Sequence, residues 1–279
     1  MIVLSYFQAG EVLDAIKRGL TNPSVSLDLG ITKSRIEIKG DFVVFPDMQE
    51  VSLEAIRKIS NNNKVCFFIE DSQIKKVQTY STATNKFYKL LPSGVNTAPA
   101  VEISGIRMHA VKHTNPIQDA ESKISSILPL RGIVLDTCTG GGYTAIQASR
   151  FAKVYTYEID NNVVEIAKYN PWSGELFNNK NIHLVIGDIV EEIKNIRGDY
   201  FDSIIHDPPS FKIYSMLYTQ EFYSHLYRVL KPEGKMYHYI GSPGGKKGIN
   251  IEKGIIKRLN AEGFELLKIS AKGVVVRKY

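Results

Sequence analysis

The apolar positions of the chain keep two rhythms, and the change falls near residue 116. Before it, "VSLDLGI", "RIEIKG", "FVVFPD", "VCFFIED", "IKKVQTY" and "KFYKL" are short runs rich in β-branched and aromatic residues. Gly, Asn and Pro separate them, so each predicts a strand. "EVLDAIKRGL" and "VSLEAIRKI" space their apolar residues for helices. "TNPIQDAESKISSIL" opens with a turn, becomes amphipathic and predicts a linking helix.

From Arg131 the two rhythms alternate regularly. "GIVLD", "KVYTYEID", "IHLVIGD", "FDSIIHD" and "GKMYHYIG" predict strands, and a helical pattern follows each. Such alternation predicts a doubly wound, mostly parallel sheet. "FELLKIS" and "GVVVRKY", separated by two residues, require one antiparallel strand. The expected architecture is a small N-terminal α+β domain, residues 1–116, and an α/β Rossmann-like domain, residues 117–279.

Composition narrows the class. The chain is 279 residues long, 43% hydrophobic and 23% charged, an ordinary globular balance. Its apolar runs are strand-sized, so no spanning helix is expected. The N-terminus lacks a basic start and a small-residue cleavage site, so no signal peptide is read. Cys66 and Cys138 have no metal-type spacing, which fits a reducing cytoplasm. Net charge is +6, and from Arg228 to Tyr279 there are 12 Lys/Arg against 4 Asp/Glu. That basic third is compatible with a polyanion such as RNA, or with a solvated lysine-rich surface.

The candidate chemistry starts at "VLDTCTGGGYTA", between the first strand and helix of the alternating half. Gly140, Gly142 and Ala145 satisfy the G-x-G-x-x-G/A nucleotide pattern. Asp136 ends the strand four residues before the first glycine, where it would repel a pyrophosphate. S-adenosylmethionine has no phosphate and carries a sulfonium and an ammonium, which a carboxylate favours. Glu158 ends the second strand and suits ribose hydroxyls; Asp188 follows the third and suits the adenine amino group. Ile159 and Ile189 are placed to sandwich the adenine, and Thr137, Thr139, Tyr143 and Thr144 complete the expected cofactor loop.

The fourth strand runs into "HDPPSF". Asp207 and the carbonyl of Pro208 could each accept one N–H of an exocyclic base amine and aim its lone pair at a methyl group. Pro209 fixes the backbone, because proline locks φ and donates no N–H. Phe211, Tyr143 or Tyr214 would stack the base. Lys246 and Lys247 follow the fifth strand and suit phosphates. Ser210, Arg107 and His109 are further candidate substrate contacts. His109 and His113 stand four apart, but the segment reads as strand or loop with no third ligand, so no metal is expected.

The set "LDTCTGGG", "YEID", "GDI", "HDPP" and the closing hairpin resembles the class I S-adenosylmethionine-dependent methyltransferases over residues 125–279. The resemblance implies a seven-stranded sheet with an antiparallel last strand. "DPPSF" resembles the Asp-Pro-Pro-aromatic motif of amino-group nucleic-acid methyltransferases, departing from it at Ser210. The wider run from "VSLDLGIT" to "YHYIG" resembles an archaeal family of predicted methyltransferases and implies N4-methylation of ribosomal RNA cytidine, with RNA bound by the N-terminal domain. The expectation is therefore an RNA methyltransferase with catalytic Asp207, Pro208, Pro209 and Phe211. Two alternatives stay open: a small-molecule methyltransferase or polyamine aminopropyltransferase of the same fold, and a non-catalytic RNA-binding assembly factor. The basic C-terminal third counts against a polycationic substrate.

Overall fold

The structure, a computed structural model, describes residues 1–241, 246–270 and 272–279. The chain divides into two compact units: Met1–Asp119 with Asn162–Gly174, and Ala120–Asn161 with Glu175–Tyr279.

In the first unit, strand Ile2–Leu4 pairs antiparallel with Phe67–Glu70, which forms a hairpin with Gln73–Lys76. A four-stranded antiparallel sheet joins Gln78–Ser81, Lys86–Leu91, Ala100–Ile103 and Ile106–Arg107. Ser5 and Gln8 form a capping box on helix Tyr6–Lys17, and Ser52 caps helix Leu53–Ser60.

Three expected strands change form, and "RIEIKG" divides after Arg35 between two sheets. "IKKVQTY" divides between two sheets, because buried Val77 donates its N–H to Cys66 and accepts from Leu90. Of "VSLDLGI" only Val25 stays in a strand, Ser24–Val25, since the Asp28 carboxylate accepts the N–H groups of Ile31 and Thr32 and turns the chain. One core of this unit packs Val3, Leu29, Phe68, Tyr88 and Val101 with Val163 and Ile166. Trp172 packs against the same core and donates Nε1–H to the Leu29 carbonyl.

The chain then follows the alternating pattern: β1 (Ile133–Asp136), α1 (Tyr143–Ser149), β2 (Lys153–Glu158), α2 (Asn161–Lys168), which from Asn162 onward belongs to the first unit, β3 (Ile182–Ile186) and α3 (Ile189–Asn195). It continues with β4 (Phe201–His206), α4 (Gln220–Val229), β5 (Leu230–Tyr239), α5 (Lys246–Ala261), β6 (Phe264–Ile269) and β7 (Gly273–Lys278). The seven-stranded sheet has the order β3-β2-β1-β4-β5-β7-β6, parallel except for β7, which runs antiparallel to β5 and β6.

Val134, Leu135, Ile204 and Ile205 are fully buried, as expected of central parallel strands covered on both faces. The strand order reverses between β1 and β4, which opens a crevice at their C-terminal ends. β5 starts earlier than "GKMYHYIG", because Leu230 pairs with Phe201 across an irregular register. Among the described residues no helix is long and apolar enough to cross a membrane.

Candidate functional site

Four carboxylates share the C-terminal edge of the parallel strands. Asp136 ends β1, Glu158 ends β2, Asp188 follows β3 and Asp207 follows β4. Parallel pairing puts all four strand ends on one side.

Asp136 is fully buried, and its Oδ2 accepts from Thr156 Oγ1 at 2.8 Å and Thr144 Oγ1 at 3.2 Å. Its Oδ1 has no hydrogen-bond partner among the described residues. Burial pushes this carboxyl up to about 7; the charge of Asp207 adds to the rise, and the threonine hydroxyls and Lys123 oppose it.

The glycine loop hangs on Glu158. Gly140 N–H donates to Glu158 Oε2 at 2.9 Å and Asp160 N–H donates to Oε1 at 3.0 Å. Burial raises the Glu158 carboxyl and these N–H groups oppose the rise. Gly140 and Gly142 have φ of 54° and 78°, the left-handed region that favours glycine. A Cβ on Gly142 would lie 2.8 Å from Leu176 Cδ2. Thr139 Oγ1 lies 2.7 Å from Thr156 Oγ1, and Tyr143 is buried at the start of α1.

Asp188 caps α3 through the N–H of Val190 and accepts the Tyr214 hydroxyl. Of the two isoleucines expected around an adenine, Ile159 is 56% exposed, whereas Ile189 is 4% exposed and packs into the core. Ile189 therefore offers no open face to a ring.

Asp207 Oδ2 receives the Lys123 ammonium at 2.6 Å. The Pro209 carbonyl accepts the Tyr218 hydroxyl at 2.8 Å, and Ser210 closes a turn by accepting the N–H of Ile213. Phe211 is half exposed, edge-on to Tyr218. Beneath the loop, His206 is fully buried, with Nε2 3.0 Å from the Leu217 carbonyl and Nδ1 2.8 Å from Thr137 Oγ1. A carbonyl can only accept, so Nε2 carries the proton and Thr137 donates to Nδ1. Burial drives the His206 imidazole down to about 3, so it stays neutral.

Arg107 and His109 lie in the first unit. Arg107 is 3.9 Å from Glu102, and His109 Nδ1 accepts the N–H of Val101. Lys246 and Lys247 begin α5 instead of standing in a loop, and their side chains lie outside the described residues. Among the described residues no three His, Cys, Asp or Glu side chains gather as a metal site needs.

Lys123 was not expected. It lies 84 residues from Asp207 and belongs to no motif. The available signal was its place on helix Pro116–Ser126, on the buried face with Ala120 and Ile124.

The basic C-terminal third also resolves into particulars. Lys231 pairs with Asp202, Lys278 with Asp199, and Arg277 with Glu265 and Glu233. These pairs cluster where β4 and β5 begin, at the edge of the sheet opposite the four carboxylates.

Strand order, glycine loop and antiparallel last strand define a Rossmann-like fold of the class I methyltransferase type. Residues 137–276 match the spermine/spermidine synthase domain, and the chain belongs to that family. It is 41% identical over 263 residues to an uncharacterized protein of Methanocaldococcus jannaschii, covering 91% of this chain and 88% of that one. A polyamine aminopropyltransferase of Prochlorococcus marinus is 30% identical over 119 residues, 41% of each chain, so less than half of that relative is spanned. A spermidine synthase solved with the transition-state analogue AdoDATO shares the fold at TM-score 0.58 and 19% identity, over 76% of this chain and 78% of that one. The spermidine synthase of Thermotoga maritima does so at TM-score 0.56 and 18% identity, over 72% and 71%.

These findings overturn the expectation of a ribosomal RNA cytidine-N4 methyltransferase, and with it RNA as partner. The physical reason lies in the charge argument. A segment's net charge averages over lysines paired at the far edge of the sheet and says nothing of the edge that carries the carboxylates.

Proposed function

We propose that the C-terminal unit transfers an aminopropyl group from decarboxylated S-adenosylmethionine to an amine. The observation that carries this reading is the row of four carboxylates on the crevice edge, Asp136, Glu158, Asp188 and Asp207. The donor is a dication, with a sulfonium and an ammonium. Opposite charges about 4 Å apart attract by roughly 1 kcal/mol in water and about 4 kcal/mol at an effective dielectric near 20. A partly buried acidic edge therefore favours this donor over phosphate-bearing nucleotides.

Asp136, with one oxygen unpartnered, is the residue assigned to the donor's cationic chain. Gly140 and Gly142 would let the backbone approach the nucleoside, and Glu158, which positions that loop, is the residue assigned to the ribose hydroxyls. Asp207 holds the acceptor amine and takes its proton. The deprotonated nitrogen attacks the aminopropyl carbon bonded to sulfur, a C–N bond forms to that carbon, and its C–S bond breaks. The electron pair leaves with methylthioadenosine. Positioning supplies much of the rate of such an in-line displacement.

The test supplies decarboxylated S-adenosylmethionine and a panel of amines and measures methylthioadenosine by mass. The expected result is acceptor-dependent release that falls about a hundredfold or more in Asp207→Asn, the scale of a lost acid–base group. No release with any amine by protein that binds methylthioadenosine would reject the reading.

A further inference from the structure

All four edge carboxylates are already engaged by the protein, Asp136 through Oδ2 alone. Glu158 receives two backbone N–H groups, Asp188 caps α3 and accepts Tyr214, and Asp207 holds Lys123. A receptor for a polyamine needs spare anions for several ammoniums. Here the acceptor carboxylate has an ammonium beside it.

Lys123 is not a loose surface cation. Its helix turns Ala120 and Ile124 into the core, and Lys123 is itself only 8% exposed. Its ammonium lies 2.6 Å from Asp207 Oδ2 and 5.3 Å from the centre of the Tyr239 ring. The carboxylate holds it on one side and an aromatic face on another. A plain diamine engaging Asp207 would bring a second ammonium close to this one, and like charges at that range oppose binding. An amine that also carries an acid group meets the opposite situation.

Resting on the aminopropyl-transfer reading, we propose that Lys123 and Asp207 form a paired receptor for an acceptor that bears an acid group near its amine. The amine engages Asp207 and the acid engages Lys123. Amino acids with a terminal amine and a carboxylate have this chemistry. The transfer balances as before: the acceptor nitrogen gains the aminopropyl carbon and gives up one proton through Asp207, and the acid group is unchanged. Lys123 is thus a specificity-determining residue that repels the wrong acceptor and attracts the right one.

The test follows methylthioadenosine release with matched acceptors, putrescine against γ-aminobutyrate and diaminopropane against β-alanine. It uses the full chain, Lys123→Met and Lys123→Arg. Binding of methylthioadenosine by calorimetry, run on each variant, reports an intact site. The wild type should favour the amino acid of each pair in kcat/KM by about tenfold or more, a typical worth for one close charge contact. Lys123→Met should lose that preference mainly through KM, and Lys123→Arg should retain its direction. A wild type that prefers the diamines, with the ratio unchanged in Lys123→Met and methylthioadenosine still bound, overturns the proposal and leaves the reading standing. Intact S-adenosylmethionine outbinding its decarboxylated form, with that advantage lost in Lys123→Met, would move Lys123 to the donor and overturn the acceptor assignment. Absence of both release and methylthioadenosine binding would remove the reading and the proposal together.

Discussion

If Asp136 holds the cationic chain of the donor as proposed, it should couple ligand binding to pH. Its folded carboxyl titrates near 7, above its ordinary 3.8. Between those values the folded protein keeps a proton that the unfolded chain has released, so this residue's contribution to stability falls as pH rises. A cationic donor favours the carboxylate and expels that proton. Donor affinity should therefore rise with pH up to about 7 and level off above it. Calorimetry at pH 6 in buffers of different ionisation enthalpy should show net proton release, and Asp136→Asn should abolish it. His206 shifts the other way, to about 3 from 6.5. Its contribution is present above pH 6.5 and lost as pH falls toward 3. Nitrogen-15 NMR should show the Nε2–H tautomer with no titration between pH 5 and 8; a midpoint near 6.5 would contradict the buried geometry. The four acids were legible in the sequence because each ends or follows a strand of a parallel sheet. Lys123 and the Thr137–His206 bond were not, since folding makes those neighbours and no local spacing records them.

At the scale of elements, the turn from β1 into α1 has little tolerance. Gly142 stands at φ 78° and its missing Cβ would meet Leu176 at 2.8 Å. Gly142→Ala should cost about 1–2 kcal/mol from the left-handed backbone alone, with the clash added to it. Urea unfolding would measure this. The combined Gly142→Ala, Leu176→Ala variant should show a coupling of about 0.5–3 kcal/mol, because removing the leucine relieves the clash but not the backbone strain. The alternation of strands and helices after Arg131 was legible because the two hydrophobic periods differ sharply and each element is buried on a defined face. The first unit was harder to read. A single buried Val77 passes the chain from one sheet to another inside a continuous strand-like run. Residues 162–170 read as a helix of the alternating half, yet residues 162–174 belong to the other unit, and Val163 and Ile166 to its core.

In the second unit, paired cations stand where β4 and β5 begin and four carboxylates where the parallel strands end, with Lys123 the cation beside them. Ligands should therefore be ranked by charge at the crevice. Decarboxylated S-adenosylmethionine at a hundred times its Kd should stabilise the fold by about 2.7 kcal/mol, read as a rise in Tm, and a pyrophosphate nucleotide at the same concentration should give much less. Equal shifts would deny the acidic edge its role. The excursion of residues 162–174 also sets a timetable for synthesis. Val3, Phe68 and Tyr88 leave the ribosome early, but Val163, Ile166 and Trp172, which complete their core, follow only after β1 and β2 have been made. At about 5–20 residues per second, the nascent first unit waits several seconds with that apolar surface uncovered. Chaperones should engage this chain in that interval, and a ribosome stalled just past residue 119 should hold it longest.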